Sequence, residues 1–446
     1  MSEQKQLPKY KEVKIERGKI GDFYVEALED GFLVNDGGNV WYHPFVITDD
    51  NEKVLYVPET SLPYRPYKLE SSFIIIPGVV NTIPKPNIDQ LVQDVFGVWN
   101  DFLDVERKYK ELLTIATLLS YQQEKLKTMP YIYFTGEKGT GKSRALELAE
   151  WLMYRPLNAT SITGPNIFHY LSDGPKVILD DEVAYSINND SDKRSIYLVG
   201  YRSTGKVPRI IEDSKGKRKQ KFYNAYSFKM FASKESIRND QLLDRCIVIK
   251  MVRGNPRFGG FNDSDEELFH RIRTRLLIWR LHTINDFLPF ERPANRIDEL
   301  FNPLIAIAKL VNFDKENIIS IRDGEVNERL NELKSSLEYK VALATVVTMV
   351  KEKNYSVKFN DIYNNLAHLI NGVETKPGKI TSPEFGDITK QRIGRICKDI
   401  LGGKKHLIMA DGTPYLYYSW TQERFAENCK QYQITQEDVD QIISNI

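Results

Sequence analysis

The chain has 446 residues, of which 41% are hydrophobic and 28% charged, and this composition is typical of a soluble globular protein with roughly two to four domains. Its formal net charge of +1 excludes a global attraction to nucleic acid, so any such binding must come from local clusters of basic residues. The widely spaced cysteines and the polar amino terminus argue against a disulfide framework, a zinc site and a secretion signal. We therefore expect a cytoplasmic protein, and the longest apolar run, FIIIPGVV, is too short to predict a membrane segment.

The first 87 residues predict a small β domain. Short apolar runs such as GFLVN and KVLYVP alternate with turn signals such as EDG and NDGG. The proline-containing segment NTIPKPN interrupts this pattern before a helix that is predicted to begin near Ile88.

Residues 88–262 predict an α/β core with a five-stranded parallel sheet, because the short apolar runs YIYFT, NATSI, KVIL, SFKMFAS and CIVIKM alternate with helical segments. Longer helical patterns over residues 263–334 predict a helical lid or linker. From residue 335 to residue 446, helical segments followed by a hairpin pattern around ADGTP predict a winged helix.

The segment YIYFTGEKGTGKS has the spacing of a phosphate-binding loop, and it follows a predicted strand and opens a predicted helix. In this context the backbone N–H groups and the helix amino terminus face the phosphates of a nucleotide. Lys142 is placed to reach the β- and γ-phosphates, and Ser143 is placed to ligate Mg²⁺. The predicted ATP-binding residues are Gly136, Glu137, Lys138, Gly139, Thr140, Gly141, Lys142 and Ser143.

An acidic cluster of Asp180, Asp181 and Glu182 follows the apolar run KVIL. One carboxylate at such a strand end holds Mg²⁺, and a neighbouring one orients and deprotonates the attacking water. The sequence leaves two assignments open. Either Asp180 is the metal ligand and Asp181 the base, or Asp181 is the metal ligand and Glu182 the base.

A basic run lies between the acidic cluster and the next predicted strand, and β-favouring residues flank it as in a hairpin. Its cations are Lys215, Lys217, Arg218, Lys219 and Lys221. Such a run is by default a solvated surface, and the alternative is a finger that contacts a polyanion.

These segments resemble the AAA+ ATPases of the helicase clade, especially the MCM-like replicative helicases of viruses, plasmids and mobile elements. The resemblance extends from about Ile88 to the carboxyl terminus. It implies that FASKES carries the sensor 1 residue at Ser233, that DQLLDRC carries an arginine finger at Arg245, and that Arg296 is the sensor 2 arginine. It also implies that the basic run is a hairpin that projects into the channel of a ring.

Three of these residues have simpler alternatives. Arg245 could be a structural arginine that pairs with a carboxylate, and Arg296 could be a solvated arginine in the first turn of an amphipathic helix. Ser233 could be a small polar residue at a strand end without a functional role.

The carboxyl-terminal segment ITKQRIGRICKDILGGKK is basic, and its last predicted helix carries Lys390, Arg392 and Arg395. In a winged helix this helix contacts DNA, so the three residues are predicted DNA ligands. A protein-interaction module is the alternative.

Together these features predict an ATP-driven DNA translocase or helicase that acts in replication as a hexameric ring, with ATP and Mg²⁺ as cofactors and DNA as partner. Arg245 would act on the nucleotide of the adjacent subunit. The runner-up is an ATP-dependent initiator or helicase loader that binds origin DNA. A protein remodeller is disfavoured, because the chain carries two basic elements.

Overall fold

The computed structural model describes residues 10–48, 53–70, 82–212 and 218–445. Lys215 and Lys217 of the predicted basic run lie outside the described residues. The chain divides into two compact units at Arg322 and Asp323. Within the described part of the chain, no helix has both the length and the apolar character needed to cross a bilayer.

The first unit begins with short strands that form two sheets. An antiparallel sheet has the order β2-β3-β4-β5, and a second sheet has the order β1-β7-β6, in which β1 and β7 are parallel. The strands are β1 (Lys11–Ile15), β2 (Arg17–Ile20), β3 (Phe23–Ala27), β4 (Phe32–Asn35), β5 (Val40–His43), β6 (Val46–Thr48) and β7 (Val54–Pro58).

The centre of the first unit is a five-stranded parallel sheet of order β14-β8-β13-β10-β9. Its strands are β8 (Tyr131–Thr135), β9 (Pro156–Asn158), β10 (Val177–Asp180), β13 (Lys229–Ser233) and β14 (Cys246–Lys250). The predicted five-stranded parallel sheet is therefore confirmed. An antiparallel pair, β11 (Lys206–Glu212) and β12 (Arg218–Asn224), is inserted before β13.

Helices cover both faces of this sheet, which explains why its strands are almost uniformly apolar. Ile132 and Phe134 of β8 belong to one buried cluster, and Tyr131 and Tyr133 of the same strand belong to another on the opposite face. The helices of this unit are α1 (Ile88–Phe102), α2 (Arg107–Ser120), α3 (Lys142–Leu152), α4 (Gly164–Tyr170), α5 (Val183–Asn189), α6 (Ser191–Val199), α7 (Asp240–Leu243), α8 (Asp263–His282) and α9 (Arg296–Leu310), and α10 (Glu316–Ser335) continues into the second unit.

The amino-terminal strands share a core and an ion network with the parallel sheet. Arg155, which is fully buried, donates to Glu16 of the β1–β2 junction at 2.8 Å and to Glu26 of β3 at 2.5 Å. Arg280 of α8 also donates to Glu26, at 2.9 Å. Burial raises the pKa of Glu16, but the charges of Arg155 and Lys176 outweigh this effect and lower that pKa to about 2. The network thus connects the amino-terminal strands to the sheet and its helices within one compact unit. The domain limits that the sequence predicts at residues 87, 262 and 334 stay a prediction.

The second unit has its own hydrophobic core, which includes Val347, Ile362, Ile393 and Tyr418. Its strands form two three-stranded sheets, β15-β20-β19 and β16-β17-β18. The elements are α11 (Leu337–Glu352), β15 (Ser356–Lys358), α12 (Phe359–Leu369), β16 (Val373–Lys376), β17 (Lys379–Ser382), β18 (Gly386–Thr389), α13 (Lys390–Arg395), β19 (Lys404–Ala410), β20 (Thr413–Ser419), α14 (Gln422–Gln431) and α15 (Gln436–Asn445).

Candidate active site

The predicted phosphate loop connects the end of β8 to the start of α3, at the carboxyl edge of the parallel sheet where ligands of such sheets bind. Its glycines have backbone conformations that other residues rarely adopt, with φ of 151° at Gly136 and 92° at Gly141. A Cβ atom on Gly136 would also lie 2.2 Å from the carbonyl oxygen of Met251. The loop therefore requires glycine at Gly136 for both torsional and steric reasons.

Lys142 is held at the centre of this loop. Its side chain is almost buried, and its Nζ donates to the carbonyl oxygens of Gly136 at 2.6 Å and of Glu137 at 2.8 Å. The ammonium group of Lys142 therefore lies inside the turn of the loop. Loops of this shape bind phosphate oxygens.

A cavity of about 510 Å³ adjoins the loop. It is lined by residues 138–144, by Asp181 and Glu182, and by Ser233 and Lys234. The fold therefore brings the loop, two of the predicted acids and the end of β13 to one place. Among the described residues, no group of three or more His, Cys, Asp or Glu side chains forms a metal site by itself.

Asp180 is separated from the other two acids. Its carboxylate is fully buried, and its Oδ2 atom accepts a hydrogen bond from the Tyr197 hydroxyl at 2.7 Å. Its Oδ1 atom accepts from the Glu182 N–H at 3.1 Å, and Lys193 Nζ lies 3.7 Å from Oδ2. Burial, together with the charge of Asp180, raises the pKa of Tyr197, so that the hydroxyl remains a donor. Asp180 therefore faces the interior, and it does not line the cavity.

The end of β13 presents a lysine to the cavity. Ser233 is buried, and its hydroxyl donates to the Glu235 carbonyl at 2.6 Å and lies 2.9 Å from the Tyr133 hydroxyl. Lys234, the next residue, is exposed and lines the cavity. Sequence reasoning missed Lys234, although its position directly after a predicted core strand was a usable signal.

Arg245 and Arg296 lie at the opposite edge of the sheet from the phosphate loop. Cys246 pairs with Tyr131 at the amino end of β8, and Lys250 pairs with Thr135 at the carboxyl end. Arg245 precedes this pairing and Gly136 follows it, so six residue steps at ~3.3 Å each, or roughly 20 Å, separate their backbones along the strand direction. Neither arginine lines the cavity beside the phosphate loop.

The two arginines belong to an arginine cluster with Arg202, which sequence reasoning also missed. The guanidinium groups of Arg202, Arg245 and Arg296 lie 5.2, 4.9 and 4.2 Å from the centroid of the Tyr201 ring. Glu299 pairs with Arg202 and with Arg296. Burial and the neighbouring charge of Arg296 lower the pKa of Arg245, whose guanidinium donates to the Gln241 carbonyl.

The described part of the basic run lies on β12, and the antiparallel β11–β12 hairpin is anchored at its base. Val207 is buried there, and the Tyr223 ring lies 5.4 Å from the Phe168 ring of α4. Farther along β12, the predicted DNA ligands Arg218, Lys219 and Lys221 are all exposed. Tyr201, whose ring the three arginines surround, belongs to the same buried cluster as Val207 of the hairpin base.

In the second unit, a groove of about 870 Å³ lies between α13 and the β19–β20 pair. Lys390 and Arg395 line the groove together with Lys398 and Lys405, whereas Arg392 is exposed on α13 outside the groove lining. Two of the three predicted DNA ligands of this unit thus share one basic groove.

No protein-family model and no curated protein matches the chain. Among solved structures, "The A form apo structure of NrS-1 C terminal region-CTR" aligns with 16% identity and a TM-score of 0.36, covering 89% of this chain and 97% of that one. "SCCmec type IV Cch - active helicase" aligns with 14% identity and a TM-score of 0.37, covering 95% and 82%. Both TM-scores are low, so the assignment of function rests on the geometry of the site.

Proposed function

We propose that the chain is an AAA+ ATPase of the MCM-like helicase type, which uses ATP hydrolysis to translocate on and unwind DNA during replication in the cytoplasm. The observation that carries this proposal is the shared cavity of the phosphate loop, Asp181, Glu182 and Lys234 at the carboxyl edge of the parallel sheet. A phosphate cradle beside two acids and a second cation is the donor set that nucleoside triphosphate hydrolysis requires.

Within this cavity each side chain has a separate task. The loop amides and Lys142 bind the β- and γ-phosphates. Ser143 and Asp181 would hold Mg²⁺, which neutralises phosphate charge when it is bound, and Glu182 orients and deprotonates the attacking water. Asp180 positions this strand end through Tyr197 instead of ligating the metal. Lys234 contacts the γ-phosphate in the role that the family resemblance gives to Ser233, whose hydroxyl is already engaged.

We propose that the site is completed by a neighbouring subunit in a hexameric ring. Arg245 and Arg296 lie a full strand length from their own phosphate loop, so they are better placed to reach a triphosphate bound to an adjacent copy. A head-to-tail interface, in which one edge of each subunit meets the opposite edge of the next, provides this arrangement and closes into a ring. The arginines would then stabilise the charge that develops on the transferred phosphoryl group.

The β11–β12 hairpin is proposed to grip DNA in the ring channel through Lys215, Lys217, Arg218, Lys219 and Lys221. The second unit is proposed to be a winged helix in which α13 supplies Lys390, Arg392 and Arg395 to DNA and β19–β20 forms the wing. Phosphate contacts of this kind fix position on DNA without reading its sequence. Residues 1–87 are proposed to form a β module of the same motor body.

The basic groove of the second unit specifically favours one alternative, an ATP-dependent initiator or helicase loader that holds origin duplex while ATP drives assembly. Strand displacement separates the two functions. Purified protein with ATP and Mg²⁺ is expected to unwind a forked duplex, and a Lys142→Ala variant is expected not to. Duplex binding without unwinding on 3′- or 5′-tailed substrates would instead support the initiator. ATPase activity that DNA leaves unchanged, with neither binding nor unwinding, would contradict both.

A further inference from the structure

The β11–β12 hairpin has two chemically different faces, because side chains alternate along each strand. Cross-strand pairing places Val207 opposite Tyr223 and Pro208 opposite Phe222. The face of Val207 and Tyr223 packs onto α4 and α6, where Arg209 also pairs with Asp192. The other face carries Pro208, Ile210 and Phe222.

This second face is an exposed apolar surface. Ile210 is 72% exposed and Phe222 is 58% exposed, and Pro208 is exposed directly across from Phe222. The packed opposite face shows that the exposure of Phe222 does not come from a hairpin detached from the body. Pro208, Phe222 and Ile210 are neighbours on this face, and a contiguous exposed apolar patch, unlike a single exposed side chain, is typical of a binding surface.

One cation shares this apolar face. Arg218 lies on the same face as Phe222, nearer the hairpin tip, where it stands across from Glu212. Lys219 and Lys221 lie on the opposite face of β12. Aromatic rings next to cations are the combination that single-stranded nucleic acid requires, since bases stack on the rings while phosphates contact the cations. A duplex hides the faces of its bases, so it would leave the apolar surface unused.

We propose that Pro208, Ile210 and Phe222 form a stacking platform for an unpaired nucleobase of the strand held by the hairpin. This inference rests on the proposed DNA-translocating function, and it adds base contact to a hairpin that the sequence presented only as a phosphate grip. The platform makes the motor depend on bases as well as on phosphates, and thus favours single strands over duplex in the channel.

The test compares two ligands of equal length and charge in fluorescence anisotropy, oligo(dT) and an abasic deoxyribose-phosphate oligomer. The wild-type protein is expected to bind oligo(dT) about tenfold more tightly, as the stacking of a base on an aromatic ring predicts. Phe222→Ala should weaken oligo(dT) binding to the level of the abasic strand without changing abasic binding, and Phe222→Trp should restore the preference. Phe287→Ala removes another highly exposed ring, 84% exposed, and should change neither affinity.

Each contrary outcome has its own meaning. Equal wild-type affinity for both oligomers, or an equal loss for both in Phe222→Ala, would overturn the platform while leaving a phosphate-gripping motor intact. A change of oligomeric state in Phe222→Ala, measured by light scattering, would mean that a neighbouring copy covers this face, and would also overturn it. Absence of binding to either oligomer by the wild-type protein would refute the proposed function itself, and the platform with it.

Discussion

Replacing Arg245 by alanine tests the proposal that each nucleotide site is shared by two subunits. If Arg245 serves the neighbouring site, the variant should bind ATP normally and fail to hydrolyse it. The structure excludes a direct contribution of Arg245 to its own loop, because roughly 20 Å of strand separates the two backbones and an arginine side chain is much shorter. Removal of a trans-acting arginine is expected to lower kcat by about 10³–10⁵-fold.

Mixing two inactive variants distinguishes a shared site from a structural defect. Lys142→Ala lacks a working phosphate loop and still carries Arg245, whereas Arg245→Ala has the reverse defect. In an equal random mixture, about a quarter of the head-to-tail interfaces combine an intact loop with an intact arginine. ATP turnover should therefore reappear in the mixture, measured as phosphate release, although each variant alone is inactive.

The matched control is Arg292→Ala, an exposed arginine that precedes α9 and lies outside the arginine cluster. This variant should hydrolyse ATP like the wild-type protein. Normal turnover by Arg245→Ala would refute the trans assignment. A mixture that assembles and remains inactive would refute the shared site, and the role of Arg245 would then be structural.

Three further predictions concern the acids and their partners. Glu182→Gln should lower kcat by about 10²–10⁴-fold while Mg²⁺-ATP still binds, and normal turnover by this variant would exclude Glu182 as the base. Asp181→Asn should instead weaken Mg²⁺ binding, measured by calorimetry. Tyr197→Phe should lower the free energy of unfolding in urea by about 1–3 kcal/mol, because the buried Asp180 carboxylate loses a donor; an unchanged midpoint would contradict the hydrogen bond. The pKa of Glu16 is lowered to about 2 in the folded chain, so the ionised carboxylate should add about 3 kcal/mol to the free energy of unfolding above pH 4.5, and this gain should disappear as the pH falls toward 2. The difference in the free energy of unfolding between wild type and Glu16→Gln should therefore shrink over this pH range. A difference that does not change with pH would contradict this.

The parts of the site that the sequence predicted are local in the chain. The phosphate loop is recognisable because strand, glycines and helix occur consecutively, and the central strands are recognisable because burial on both faces makes them short apolar runs. Asp180 could not be separated from Asp181 in this way, since its orientation depends on Tyr197, which lies on a later helix.

Other features depended on tertiary contacts that no local pattern records. The distance of Arg245 from the phosphate loop follows from the register of β14 on β8. The attachment of the amino-terminal strands follows from Arg155, which precedes β9 and contacts Glu16 and Glu26 far earlier in the chain. The apolar face of the hairpin was overlooked because the charges of β12 dominate its sequence.

The buried ion network around Arg155 has a preparative consequence. Salt screens exposed charges strongly and buried pairs much less, whereas each phosphate contact to DNA weakens steeply as salt rises. A wash in molar salt should therefore strip nucleic acid from the two places proposed to bind it, the hairpin and α13, while the pairs of Arg155 with Glu16 and Glu26 persist. The protein could then be purified free of DNA with its amino-terminal strands still in place.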